Sequence, residues 1–171
     1  MEPVRNDTTA DRRTAVELAK RLLVDSIWRT AKIEVDGVTF PDTQEIFDGR
    51  APEGMSVDDI VTVNNIKRAW RFLLDNIDYP VDWQYIREYN RIIGEGLVRD
   101  AGRLREYGVR IGGTGWVPEI PTVESSQERV RGILEESEGE DTAMLLFGAV
   151  TRGQWFSDGN KRTALMVANH Q

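Results

Sequence analysis

Near the end of the chain, Phe156-Ser157-Asp158-Gly159-Asn160-Lys161-Arg162 combine residue types suited to one task, the holding of a phosphate. The apolar-periodic TALMVAN follows directly, so these residues fall where a helix begins. A helix start presents unpaired N–H groups and about half a positive charge. Gly159 lets backbone donors approach an anion closely. Lys161 and Arg162 add formal charge in the first turn, and arginine can grip phosphate through two parallel bonds. Both cations oppose the helix dipole, which an anion would offset. Asp158 supplies a hard oxygen of the kind Mg²⁺ uses when it holds one carboxylate together with substrate phosphates. The same residues also admit a plainer reading, in which Ser157 or Asp158 caps the helix and the cations are solvated.

Other chemistries are excluded or confined by composition. The 171 residues contain no cysteine, which removes disulfides, thiol nucleophiles and thiolate metal sites. There is one histidine, His170, so any triad or imidazole acid–base chemistry would have to pass through it. Lysine and arginine number 22 against 29 acids, giving a net charge of −7. That balance argues against a nucleic-acid coat and against docking on an anionic membrane. The charge is uneven: residues 122–141 carry Glu124, Glu128, Glu135, Glu136, Glu138, Glu140 and Asp141 against two arginines, whereas residues 151–162 are net positive. The acidic stretch reads as a solvated face, and the small positive site suits a particular anion better than a polyanion.

The elements that must position this loop are helical almost throughout. Val16, Ala19, Leu23, Ile27 and Ala31 predict one helix from Thr14 to about Ile33. The glycines and prolines of 35–54 predict turn and loop. Ser56 and Asp59 form a capping-box pattern opening a helix with Ile60, Val63, Ile66, Trp70, Leu73 and Leu74 on one face. Asp82 caps a third, with Ile86, Tyr89, Ile93 and Leu97 as its stripe and Gly102 closing the region. Val109–Ile111 and Trp116–Ile120 flank a GGTG turn and predict a β-hairpin, restricted by Pro118 to an edge. Thr122 caps a helix to about Glu135, Thr142–Val150 predicts a buried helix, and a last helix starts at about Asn160. The expected architecture is six helices and one hairpin in a mostly α domain. TALMVANHQ reads as a helix cut in mid-course, so a longer chain is expected.

Gln154-Trp155-Phe156-Ser157-Asp158-Gly159-Asn160-Lys161-Arg162 resembles the signature of the Fic/Doc (Fido) family, H-x-F-x-[DE]-G-N-[GK]-R, and DGNKRTAL is similar to its Doc-like variant. VNNIKRAW, GLVRDAGRLREYGVRI and PEIPTVESS resemble the family's core order, over residues 56–171. The resemblance implies a helical Fic fold with a β-hairpin flap, and transfer of AMP from ATP to a hydroxyl of a target protein (AMPylation). It implies that Asp158 binds Mg²⁺, that Gly159 and Asn160 hold the α-phosphate, and that Lys161 and Arg162 contact the other phosphates. Phe156 becomes a core anchor of the loop. The flap, with Val109, Arg110, Ile111, Trp116 and Val117, would align a target segment by strand addition. A simple tight turn is the plainer reading of its glycines.

Two departures bear on that chemistry. The family's catalytic histidine falls on Gln154, whose amide cannot act as a general base near neutral pH. Loss of such a base costs roughly 10²–10⁴ in rate. The only histidine, His170, lies about ten residues, roughly 15 Å, down the last helix from Asn160 and is read as packed or surface rather than as a substitute. Leu165 stands where many AMP-transferring members have a second arginine. Thr30-Ala31-Lys32-Ile33-Glu34 resembles the family's inhibitory-helix motif, placing residues 1–55 as an N-terminal unit before the core; Glu34 would turn to Arg162 or remain a surface glutamate.

The expected function is therefore nucleotide binding with ATP and Mg²⁺ as cofactors, and AMP transfer impaired or altered by Gln154. The alternatives are a non-catalytic nucleotide sensor or interaction module, or a regulator joined to a DNA-binding domain beyond residue 171. The expected partner is a target protein on the flap, with no membrane, no nucleic acid through this segment, and homo-oligomerisation open. No secretory h-region is visible in the first fifteen residues and no run spans a bilayer, so the expected location is the cytoplasm.

Overall fold

The computed structural model describes residues 8–171. Eight helices follow one another there: α1 (Thr8–Arg21), α2 (Leu23–Ala31), α3 (Phe40–Phe47), α4 (Val57–Asn76), α5 (Trp83–Gly94), α6 (Val123–Glu136), α7 (Gly139–Gly153) and α8 (Asn160–His170). The fold is mostly α, as the periodicity predicts. No described helix is long and apolar enough to cross a membrane.

The centre is α5, packed between α4 and α8, with α7 laid along α8 and α2 against α4. Ile66, Ile86, Tyr89, Ile93, Leu146 and Met166 are almost wholly buried in one continuous core. The helix starts follow local chemistry. Ser56 accepts from the Asp59 N–H at 3.1 Å, Asp82 from Tyr85 at 2.9 Å, and Thr122 from Ser125 at 3.1 Å. Each satisfies one of the donors a helix start leaves unpaired.

Five expectations are corrected. The single helix of residues 14–33 is two, parted at Leu22 (φ −97°, ψ 15°). Leu18 and Leu22 are exposed, and the apolar stripe meets the core from Leu23 onward. The expected loop of 35–54 contains α3. Thr39 and Asp42 form a complete capping box, Pro41 sits in the first turn where its missing N–H costs nothing, and Gly49 (φ +85°) closes the helix with its N–H on Ile46 O. The glycines and the proline punctuate a short helix rather than abolish one. The third helix ends at Gly94, and Leu97 lies in the turn beyond.

The fourth concerns the hairpin. No strand forms among the described residues; the one ladder contact is an isolated antiparallel bridge between Leu104 and Phe156. Ile111 N–H reaches Trp116 O at 3.4 Å across a turn closed by Thr114 N–H on Ile111 O at 3.2 Å. Pro118 and Pro121 lack the donors a longer ladder would need. Residues 106–121 thus form a tethered loop. The buried helix expected at Thr142–Val150 lies within α7, but Met144 and Leu145 face outward, 67% and 44% exposed.

Candidate functional site

The loop between α7 and α8 is held by its own backbone and side chains. Helix α7 is followed by its C-cap, Gln154, the only non-glycine residue with positive φ among those described (φ 45°, ψ 52°). Trp155 and Phe156 then turn inward, with Phe156 stacked on Trp83 at 6.3 Å and Trp155 edge-on to the same ring at 5.5 Å. Phe156 is 2% exposed. Asn160 fastens the turn: its Oδ1 accepts from Phe156 N–H at 3.0 Å and its Nδ2 donates to Phe156 O at 2.8 Å. That side chain is committed to the loop, so what Asn160 offers an anion is its backbone N–H at the head of α8.

Gly159 is the N-cap of α8, in left-handed geometry (φ +76°), with no side chain capping the helix. Neither Ser157 nor Asp158 caps it. Ser157 donates to Asp100 at 2.7 Å, and Asp158 Oδ1 accepts from Gly159 N–H at 2.6 Å. A Cβ on Gly159 would stand 3.2 Å from Ile93 Cγ2 and 3.3 Å from Asn90 Nδ2. The dihedral favours glycine, and a side chain would also press Ile93 and Asn90 aside by a few tenths of an ångström.

Gln154, Ser157, Asp158, Gly159, Asn160, Lys161, Arg162 and Glu34 line one concavity of about 200 Å³. The uncapped helix start opens into it with Lys161 exposed and Arg162 4% exposed. Arg162 Nη2 lies 3.4 Å from Glu34 Oε2 and 3.6 Å from Asp158 Oδ2. Glu34 is placed by α2. Thr30, 1% exposed, bonds Ser26 O at 2.7 Å and accepts from Trp70 Nε1 of α4 at 3.1 Å. Val35 and Val38 are buried just beyond. Leu165 packs against the core from α8. Among the described residues no three metal-ligating side chains converge. Asp158 would offer Mg²⁺ a carboxylate, and Glu34 is the other one lining the concavity, a sparse donor set that fits an ion held mainly by water and phosphates.

Gln154 Nε2 donates to Thr151 O at 2.7 Å, and Gln154 Oε1 lies 3.4 Å from Asn160 Nδ2. The amide thus closes the end of α7 and has no proton to exchange near neutral pH. His170 is elsewhere, 2% exposed between Tyr89 and Asn76. Its Nε2 is 2.9 Å from Asn76 O, which can only accept, so Nε2 carries the proton and Nδ1 accepts from the Tyr89 hydroxyl at 2.8 Å. Burial lowers the imidazole pKa and holds it neutral.

Two residues central to the loop were not singled out from the sequence. Arg105, 1% exposed, donates from Nε to Gln154 O at 2.5 Å and from Nη2 to Glu119 O at 2.6 Å and Gly153 O at 3.3 Å; Nη1 bonds Tyr107 O. One guanidinium thereby ties both stems of the 106–121 loop to the end of α7, where helix carbonyls favour a cation. Asn90 donates to Asp158 O at 2.8 Å and Thr163 Oγ1 at 3.2 Å, and accepts from Gly102 N–H at 2.8 Å. Asn90 carries a legible signal: it stands four residues from Ile86, a polar residue inside an apolar stripe.

Of the expected flap residues, Val109 and Ile111 are half-buried and Arg110, Trp116 and Val117 exposed. Trp116 Nε1 donates to Arg152 O at 3.1 Å, and the Arg152 guanidinium lies over the indole at 4.8 Å, fixing the loop against α7.

No protein-family model and no curated protein matches the sequence. Solved structures do match. Fic-1 (residues 134–508) from C. elegans superposes with a TM-score of 0.77 at 20% identity, covering 89% of this chain and 49% of that one. A Fic-domain-containing signaling protein from Bacteroides thetaiotaomicron gives 0.71 at 18%, covering 88% and 62%. A Fic family protein from Desulfovibrio desulfuricans gives 0.71 at 19%, covering 97% and 52%. The chain has the fold of Fic-domain proteins and spans about half to three fifths of the length of these structures.

Proposed function

We propose that this chain is a Fic-family nucleotide-binding domain that takes ATP with Mg²⁺, and whose ancestral reaction is transfer of AMP to a hydroxyl of a target protein. The observation that carries the reading is the uncapped start of α8. There Gly159, Lys161, Arg162 and Asp158 share one concavity in a fold shared with Fic-domain proteins. Backbone N–H groups of α8 and Lys161 would hold phosphate oxygens, Arg162 would neutralise them, and Asp158 would hold the cation. The cation would supply charge neutralisation on the phosphates.

Gln154 supports the view that transfer is impaired. Lacking a titratable proton, it cannot take one from an attacking hydroxyl, and its amide is engaged by Thr151 O. The Glu34 carboxylate beside Arg162 supports a second element of the reading, that Glu34 competes with phosphate for the arginine. The flap would present Val109–Val117 to the target polypeptide.

Calorimetric titration with ATP and Mg²⁺ tests binding. Saturable binding is expected, tightened several-fold by Glu34→Ala and weakened by Lys161→Ala. No heat at millimolar nucleotide for wild type and Glu34→Ala would end the reading. Transfer is tested with Gln154→His in cell lysate by mass spectrometry. A mass gain equal to AMP on a protein hydroxyl is expected with the variant and little or none with wild type. If ATP binds and neither protein modifies anything, the non-catalytic nucleotide sensor replaces the transferase.

A further inference from the structure

The helix expected to be buried is buried on one face only, through Thr142, Leu146 and Val150, and the side it leaves open is specific in its chemistry. Met144 and Leu145 of α7 face a groove of about 610 Å³ whose other wall is the returning flap stem, with Trp116 and Ile120, and whose lining also carries Glu119, Arg129 and Arg152. These four are 44–67% exposed. The same Met144 and Leu145 also floor an adjoining concavity of about 650 Å³ walled by Glu135, Glu136, Glu138 and Asp141. The apolar floor is therefore continuous, running from the flap at one end to a bank of carboxylates at the other. The groove's flap end also touches Gly153 and Trp155, next to Gln154.

From this juxtaposition we propose that the α6–α7 groove docks a cationic, leucine-bearing segment of the target polypeptide. Apolar side chains of the segment would lie on Met144 and Leu145, and lysines or arginines would follow toward Glu135–Asp141. The inference deepens the flap reading and rests on it for which polypeptide enters the groove. Charge selects the occupant. Arg129 and Arg152 line the flap end, so the segment's cations belong at the Glu135–Asp141 end and its apolar residues toward the flap. The carboxylate bank disfavours anionic lipid and nucleic acid. A segment with lysines at one end and apolar residues at the other satisfies both halves, the apolar contact supplying affinity and the charge pairing supplying orientation and encounter rate.

The probe is a fluorescein-labelled peptide carrying two leucines followed by three lysines in a glycine–serine background, read by anisotropy. Two controls replace the lysines by glutamates or the leucines by serines. Saturable binding of the first peptide is expected. It should fall at least tenfold with either control, with the exposed-site variant Met144→Asp, and with Glu135→Lys combined with Glu138→Lys, and weaken as salt shortens the screening length. Equal binding of the serine control would reduce the contact to bulk charge attraction and overturn the proposal, as would no binding of the first peptide. Sedimentation that shows a dimer abolished by Met144→Asp would also overturn it, assigning the face to a second copy. ATP titration of the same variants separates the two readings. Unchanged nucleotide affinity with lost peptide binding locates the failure in the groove, and peptide binding without nucleotide binding leaves docking standing while the cradle reading fails. Circular dichroism melts confirm that the variants are folded.

Discussion

The buried Arg105 organises the loops around the candidate site. The Arg105 guanidinium meets four main-chain carbonyls and, among the described residues, no carboxylate. Removing it leaves those acceptors without their donor in a dry environment, where each unsatisfied group costs about 1–3 kcal/mol. Arg105→Met is therefore expected to lower stability by about 3 kcal/mol or more. Arg105→Lys should fall between, because one ammonium cannot span the same fork. Urea denaturation of both variants checks this, and equal stability of wild type and Arg105→Met would refute the clamp. The residue was not legible in the sequence for a physical reason. Its partners are carbonyls, which carry no side-chain signature, and Gln154 lies 49 positions away. Gly159, Asp158, Lys161 and Arg162 were legible because their types and spacing are those a helix start needs to hold an anion. The fold brings all four to one concavity.

Among the elements, legibility followed the range of the forces involved. Ser56, Asp82 and Thr122 each begin a helix as read, because a cap is a bond between residues three apart. Helix α3 was missed although its cap is of the same kind. Gly37, Pro41 and Gly49 were weighed as breakers, when Pro41 belongs in a first turn and Gly49 beyond a last one. Thr39 accepts from Asp42 N–H while the Asp42 carboxylate takes Thr39 N–H. Thr39→Ala is expected to destabilise the protein by about 1 kcal/mol and Thr39→Ser to restore most of it, measured by the urea midpoint. The hairpin was over-read from its β-type residues. A strand needs a partner ladder, and the prolines of the returning stem withhold it. The outward face of α7 was over-read as buried because apolar periodicity marks a face without saying what covers it.

At the scale of the whole molecule the acidic balance and the single histidine both bear on response to pH. Burial keeps the folded-state pKa of His170 below that of the unfolded chain. As pH falls through the ordinary histidine range near 6.5, the unfolded chain takes up a proton that the folded protein resists. Stability is thus fully present above that range and declines below it, by up to about 1.4 kcal/mol per pH unit for one proton. Urea midpoints are expected to drop between about pH 6.5 and 5 in wild type, and the drop to be smaller in His170→Asn. Glu88 lies outside this window. Its hydrogen bond to Arg91 depresses its pKa below the carboxylate range, so its contribution is lost only at lower pH. A profile identical in wild type and His170→Asn would remove the histidine from the account.

The absence of a carboxylate around Arg105 has a chemical consequence. Carbonyl oxygens do not titrate, and a guanidinium stays protonated throughout the range in which proteins fold. Being buried, their contact is also poorly screened by salt. The tether between flap stems and loop is therefore indifferent to acid and to ionic strength for as long as the fold itself survives. The contact between Arg162 and the half-exposed Glu34 lacks that shelter, and mobile ions can screen it. Added salt can thus loosen that ion pair while leaving the Arg105 tether in place.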